Sequence, residues 1–243
     1  MSPLTIFARV PRALYTVGWR ETARNARKTL LEEYWRRQNV RFDRRYGVDT
    51  GGRIEARELR VDSENRTFGA RYEPTPPRTF ASLMRHLPAD LSAYTFVDFG
   101  SGKGRVLLLA SRYHFSCIIG VEYAKDLHAI ASRNVHTYRD PEQVCRNIIP
   151  LNIDATEFAI PHTPCVFYFF QPFGREVMTR VLDNIKRSLL APRPIYLIMA
   201  LTHPSAAALI SSLDFVVPVP LQPLPHDWAW LYSRQFFILS NSR

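Results

Sequence analysis

Two carboxylates flanking a run of glycines are the residues of this chain whose types and spacing point most directly to chemistry. Asp98 precedes Gly100-Ser101-Gly102-Lys103-Gly104, with glycine at alternate positions, and Glu122 closes the next apolar stretch. Glycine tolerates positive φ and lets a ligand approach the backbone, while the free N–H groups of a helix's first turn point at whatever is bound. The run therefore reads as a turn that holds a ligand. A carboxylate just before the first glycine repels a pyrophosphate but accepts hydrogen bonds from an ammonium group, directly or through water. An acid at the tip of a second strand, ~20 residues beyond the glycines, suits the two hydroxyls of a ribose. Together, Asp98 and Glu122 describe a nucleoside that carries a positively charged amino acid. The glycines miss the G-x-G-x-x-G spacing of dinucleotide folds, and no G-x-x-x-x-G-K-[ST] occurs. That places a nicotinamide-dependent oxidoreductase behind.

The D-x-G-x-G-x-G run at 98 to 104, followed by Gly120-Val121-Glu122, resembles motif I and the acidic loop of the class I, seven-strand S-adenosylmethionine-dependent methyltransferases. The resemblance implies S-adenosylmethionine as cofactor, held by Asp98, Gly100, Ser101, Gly102, Gly104 and Glu122. In that class an acidic residue after the third strand contacts the adenine amino group. Asp154-Ala155 stands there, although an Asp at such a place also caps helices. Upstream, Tyr72-Glu73-Pro74-Thr75 is similar to a Y-x-P-[ST] segment of seven-strand protein lysine methyltransferases acting on mitochondrial substrates such as the ATP synthase c subunit, where it helps close the cofactor site. Tyr72 and Thr75 carry over from it. Gln171-Pro172-Phe173 resembles the [ND]-P-P-[YF] and N-P-F segments of amino-methylating enzymes, in which an amide side chain and a backbone carbonyl hold the target nitrogen. Here Gln replaces the usual Asn or Asp, and one proline is present. N-methylation of a protein side chain such as lysine is the activity implied, with small-molecule or nucleic-acid methylation as alternatives.

The elements that must position these residues follow from periodicity. Tyr94 to Phe99 reads as a strand running into the glycine turn, and Arg105 to Arg112 as the helix after it. Ser116 to Val121, Asn147 to Asn152, Val166 to Phe170 and Pro194 to Leu201 are further strands. Helices over 126–138 and 177–189 alternate with them. Phe215 to Val219 with Trp230 to Leu239 is expected to close the sheet as an antiparallel pair. Alternation of this kind gives an α/β fold with a mostly parallel sheet, and the resemblance implies the Rossmann-like class I methyltransferase form of it: seven strands, helices on both faces and a C-terminal antiparallel hairpin. Ligands in such sheets bind at the carboxyl ends of the strands, which is where the glycine turn, Glu122 and Gln171 fall. Prolines 74, 76 and 77 fix an extended entry to a helix from about Thr79, which Thr79 is placed to cap.

Glu21 to Arg37 reads as an amphipathic helix with Ala23, Ala26, Leu30, Leu31 and Tyr34 on its apolar stripe, followed by a connector over 42–52. A basic, mainly helical extension over 1–65 thus precedes a methyltransferase domain over 66–243. The chain has 243 residues and a net charge of +10. Residues 1–60 hold 14 Lys and Arg against 7 Asp and Glu, so most of the excess lies there. Such an arm meets anionic partners, and a non-catalytic basic module on nucleic acid or membrane is the rival reading. No apolar run reaches the ~20 residues of a membrane span. Cys117, Cys145 and Cys165 lack metal or disulfide spacing, so no metal is expected and a reducing, cytoplasmic setting is. His203, His226 and Asp227 are candidate bases. Tyr168, Phe169, Phe170, Phe173, Trp228 and Trp230 are aromatics available to line an acceptor pocket.

Overall fold

The computed structural model describes residues 19–55, 72–201, 206–222 and 235–242. Helix α1 (Trp19–Tyr46) precedes α2 (Pro77–Met84), and the sheet then begins. It runs β1 (Thr95–Phe99), α3 (Arg105–Ala110), β2 (Cys117–Glu122), α4 (Lys125–Thr137), β3 (Ile148–Asn152), β4 (Cys165–Phe170), α5 (Arg175–Ser188), β5 (Ile195–Leu201), α6 (Ala206–Ser211), β6 (Val217–Pro218) and β7 (Gln235–Ser240). These strands form one seven-stranded sheet in the order β3-β2-β1-β4-β5-β7-β6. The first five strands pair in parallel, and β7 is antiparallel to both β5 and β6. Strand order reverses between β1 and β4, which opens a crevice at their carboxyl ends.

Both faces of the sheet are covered, so its central strands are mainly apolar, as burial on two sides requires, with Thr95 and Asp98 of β1 as buried polar exceptions. On one face Phe96, Ile118, Val166, Tyr168 and Ile198 pack with α2, α3 and the end of α1. On the other, Val97, Phe99, Phe167 and Phe169 pack against Val177, Met178, Val181, Leu182 and Ile185 of α5. Phe99 and Phe169 stack with centroids 5.0 Å apart and an 11° tilt. Gly120 leaves room for α3: a Cβ there would stand 2.6 Å from Leu107 Cδ1.

The N-terminal region departs from the sequence reading. The helix is 28 residues long and runs through Tyr46, so the expected connector is helical over its first residues. Gly47 at φ 65° then ends it, and the Val48 N–H reaches back to the Asp43 carbonyl at 3.1 Å, a Schellman closure. The expected stripe is not what docks, for Leu30 is 62% exposed and Tyr34 40%. Phe42 and Val48 enter the core instead, with Trp35 and Tyr46 packed against it, because spacings of three and four bring 35, 42 and 46 onto one side. Thr79 does not cap α2. The helix begins at Pro77, whose missing N–H costs nothing at a first position, and Thr79 lies one turn inside with its hydroxyl buried and unpartnered among the described residues.

Among the described residues, no helix is long and apolar enough to cross a membrane, and no group of three or more His, Cys, Asp or Glu is arranged to hold a metal. All three cysteines are free.

The paired faces make the second core sensitive to a single ring. Phe167 is fully buried in β4 beside Phe99. Phe167→Ala is expected to lower unfolding free energy by about 3–5 kcal/mol, read from the midpoint shift in urea.

Candidate active site

A cavity of about 360 Å³ opens at the carboxyl ends of β1 to β4. Tyr72, Thr75, Asp98, Gly100, Ser101, Gly102, Glu122, Asp154, Ala155, Gln171, Pro172 and Phe173, all singled out in the sequence, line it together. Gly104 does not. At φ 81° it ends the turn and precedes α3, and a Cβ there would meet Ala131 of α4 at 3.2 Å, so its smallness serves the turn and the approach of two helices. Of the aromatics, Tyr168, Phe170 and Phe173 reach the cavity. Phe169 does not, since alternation along β4 turns it to the α5 face. His203, His226, Asp227, Trp228 and Trp230 lie outside the described residues.

The glycine turn is shaped by what lies on it. Gly100 and Gly102 have φ of 75° and 54°. A Cβ on Gly100 would fall 2.3 Å from Pro172 Cβ, and one on Gly102 would fall 2.3 Å from the Tyr72 ring. Two segments distant in sequence thus press on the turn from either side. The Gly102 N–H donates to Glu122 Oε2 at 2.8 Å, and the Ala124 N–H to Oε1 at 2.8 Å, so Glu122 ties the turn to the start of α4. Ser101 presents a buried hydroxyl with no partner among the described residues.

Electrostatically the cavity is built for a positive guest. Asp98 is 2% exposed and no described residue hydrogen-bonds or ion-pairs with its carboxyl. Burial, and then the neighbouring Glu122 charge, push Asp98 well above the usual carboxylate range. Burial also raises Glu122 to about 7, against the pull of the backbone N–H groups of Ala124 and Gly102. Holding two such acids without a cation beside Asp98 is costly unless a ligand compensates. Asp154 Oδ1 accepts the N–H and hydroxyl of Thr156 at 2.9 and 2.7 Å, so it closes a local turn while facing the cavity.

At the β4 end, Gln171 holds φ 43°, the left-handed region, and is the only non-glycine with positive φ among the described residues. Asn and Asp adopt that conformation more easily, and strain of this kind gathers at functional sites. Nearby, the Thr75 and Tyr168 hydroxyls share a buried hydrogen bond of 3.0 Å. Sequence reasoning missed Glu73 and Arg105, which also line the cavity. Glu73 sits inside the Tyr72–Thr75 segment and Arg105 directly follows the last glycine, so adjacency to the motifs was the available signal.

The sequence matches no protein-family model and no curated protein. Solved structures do match. The putative methyltransferase yhhF from Escherichia coli is 13% identical, with 78% of this chain and 98% of that one covered at a TM-score of 0.51. The chain has the class I methyltransferase fold. Also similar are the putative methylase HI0767 from Haemophilus influenzae (12% identity, 79% and 100% covered, TM-score 0.47) and the ribosomal protein L11 methylase from Lactobacillus delbrueckii subsp. bulgaricus (10%, 67% and 74%, 0.45). At such identities the likeness is one of fold alone.

Within this methyltransferase fold Glu122 has a thermodynamic signature. Its carboxyl binds a proton more tightly when folded than when unfolded, so it favours folding at low pH. That contribution is lost as pH rises from about 4.5, its ordinary value, through about 7. In the ligand-free protein the stability of wild type relative to Glu122→Gln should fall by roughly 3 kcal/mol across that window, read by urea unfolding at stepped pH. A flat difference would show that Glu122 titrates normally.

Proposed function

We propose that the protein is an S-adenosylmethionine-dependent methyltransferase that N-methylates a protein side chain such as lysine. In this reading residues 66–243 form the donor-binding domain and residues 1–65 an extension carrying a basic face for an anionic partner. The observation that carries it is the convergence on one cavity of the Asp98 carboxyl, without a partner among the described residues, the Glu122 carboxylate and Gln171-Pro172-Phe173. Nothing in a nicotinamide site calls for that pair of acids.

The residues present fit the donor. When bound, S-adenosylmethionine supplies a methyl group on a positively charged sulfur. Asp98 is then the acceptor for its ammonium group, which would return that carboxyl to its ionised form. Glu122 uses one lone pair of each oxygen on backbone N–H groups and keeps others for the two ribose hydroxyls. The Ser101 hydroxyl, without a partner among the described residues, gains one. Tyr72, Thr75, Gly100 and Gly102 shape the donor's surroundings, Gly104 sets the turn, and Asp154 with Ala155 stands at the adenine end.

Methyl transfer is an in-line displacement, in which the protein chiefly aligns the two reactants and excludes water. Gln171 offers an amide oxygen to an acceptor N–H, and its fixed backbone aims that group. The Tyr168, Phe170 and Phe173 rings form an apolar wall suited to the methylene chain of a lysine, whose amine must be neutral when it attacks. Pro172 wedges the segment against Gly100, which keeps the acceptor end in register with the glycine turn.

Calorimetry with S-adenosylhomocysteine tests the donor site. Wild type should bind saturably, while Asp98→Ala and Glu122→Ala should each weaken binding about 10- to 100-fold, the worth of a charge-assisted hydrogen bond. Gln171→Ala should bind the same probe nearly as wild type yet lose at least tenfold in transfer of labelled methyl to protein. Label recovered as methyl-lysine after hydrolysis supports the acceptor class, and label confined to nucleic acid or small molecules refutes it. A wild type that fails to bind refutes the donor site.

A further inference from the structure

We propose that Asn39–Gly51, no residue of which lines the cavity, is the positioning device of the donor site: Asp43 holds Thr50 and Gly51 so that the Thr50 carbonyl fixes Tyr72 on the glycine turn. The inference rests on the donor-site reading above and assigns to the N-terminal helix a part in it.

The links are continuous and mostly buried. At the outer end, Asp43 Oδ2 accepts the Thr50 N–H at 3.1 Å and the Gly51 N–H at 2.7 Å, while Oδ1 accepts the Thr50 hydroxyl at 2.6 Å. Gly51 leaves room for this approach, since a Cβ there would stand 2.9 Å from Asp43 Oδ2 and displace the carboxylate. Thr50 is fully buried, and its carbonyl accepts the Tyr72 hydroxyl at 2.7 Å. Burial raises the Tyr72 phenol, so it remains a donor at any working pH. The Tyr72 ring lies against Gly102, and the Gly102 N–H binds Glu122, the carboxylate assigned to the donor's ribose.

A second set of contacts anchors the same loop to the turn from behind. Arg105, only 1% exposed, donates to Thr50 Oγ1 through Nε, to Asp43 at 3.3 Å and to Asn39 at 3.3 Å, and it lies over the Phe42 ring at 4.1 Å. Lys103 Nζ donates to Asp49 at 2.7 Å and to the Gly51 carbonyl at 3.0 Å. Asn134 of α4 accepts the Asp49 N–H at 2.8 Å and donates to the carbonyls of Asp49 and Lys103 at 2.7 and 2.8 Å. Loop 49–51 is thereby bonded to both residues that interleave with the last glycine. Because the loop ends on the hydroxyl of a cavity-wall tyrosine, a shift in the loop is passed to the cavity. Because coupling is reciprocal, donor binding must also tighten the loop.

The test measures S-adenosylhomocysteine affinity for wild type, Asp43→Asn, Tyr72→Phe and the double variant, with urea unfolding recorded for each, together with amide hydrogen exchange with and without the same probe. Each single variant should bind about 5- to 50-fold more weakly while still unfolding cooperatively, and the double variant no more weakly than the weaker single, since both cut one chain of contacts. The probe should slow exchange at the Thr50 and Gly51 amides of wild type by more than it slows amides that exchange through global unfolding, whereas a purely structural role would slow both equally. If Asp43→Asn does not fold, Thr50→Val, which deletes only the hydroxyl bridge, replaces it in the cycle with the same expected pattern. Folded variants that bind as wild type, losses that multiply in the double, or exchange slowed no more at Thr50 and Gly51 than at the globally exchanging amides would each overturn the positioning role and leave the donor site standing. A wild type that binds no probe would overturn the donor reading and this inference with it.

Discussion

A guanidinium taken almost wholly out of water is the constraint around which the site is assembled. Arg105 stands at the start of α3, where the helix dipole offers it nothing, and burial works against its charge. It is tolerable only with a carboxylate and further acceptors at hand. Asp43, Asn39 and Thr50 supply them, all from the N-terminal helix and the loop that follows it. The helix that begins at Trp19 is therefore drawn onto the residues immediately after the glycine turn. What reads in the sequence as an extension is, over its last two turns, the partner that makes the turn's own arginine affordable.

On the cavity side the balance is reversed. There the buried charged groups include two acids without a cationic partner among the described residues: Asp98, and Glu122 held by two backbone N–H groups. The same few residues thus place a paired cation, Arg105, at the end of the turn and two buried carboxylates around the cavity. A guest with a positive amino group and vicinal hydroxyls would be stabilised by both acids at once, and a phosphate would meet two negative charges in a low-dielectric recess. The strain at Gln171 lies at the other rim of the same cavity, where the sheet order reverses. Site chemistry and sheet topology therefore coincide at the β1 and β4 carboxyl ends, which is what parallel pairing of these strands enforces.

The glycines of the turn show how much a small residue depends on what presses against it. Gly100 gives way to Pro172, Gly102 to Tyr72 and Gly104 to Ala131, three contacts from three separate stretches of chain. Each glycine is thus a record of a neighbour. Within one motif, two serve the cavity and one serves the packing of α3 on α4.

Local signals sufficed for the alternating strands and helices and for the gathering of Asp98, the glycines, Glu122, Asp154 and Gln171 at one edge. These depend on hydrophobic period, on turn-forming residues and on the rule that parallel strands present the same ends to one crevice. Where sequence reading went astray, the cause was local in one case and remote in the others. Thr79 looked like a cap but Pro77 had already begun the helix. Leu30 and Tyr34 looked like a docking stripe, yet Trp35, Phe42 and Tyr46 docked, because Arg105 fixes which side of α1 turns inward. Phe169 was indistinguishable from Tyr168 and Phe170 by type, and only the pairing of β4 with β1 assigned them to opposite faces. The sequence by itself determined the fold class and the edge at which the cavity opens, since both follow from patterns local in the chain. The tertiary structure alone decided that the N-terminal helix belongs to that edge, because a buried charge finds its counter-charge by position in space and not by distance along the chain.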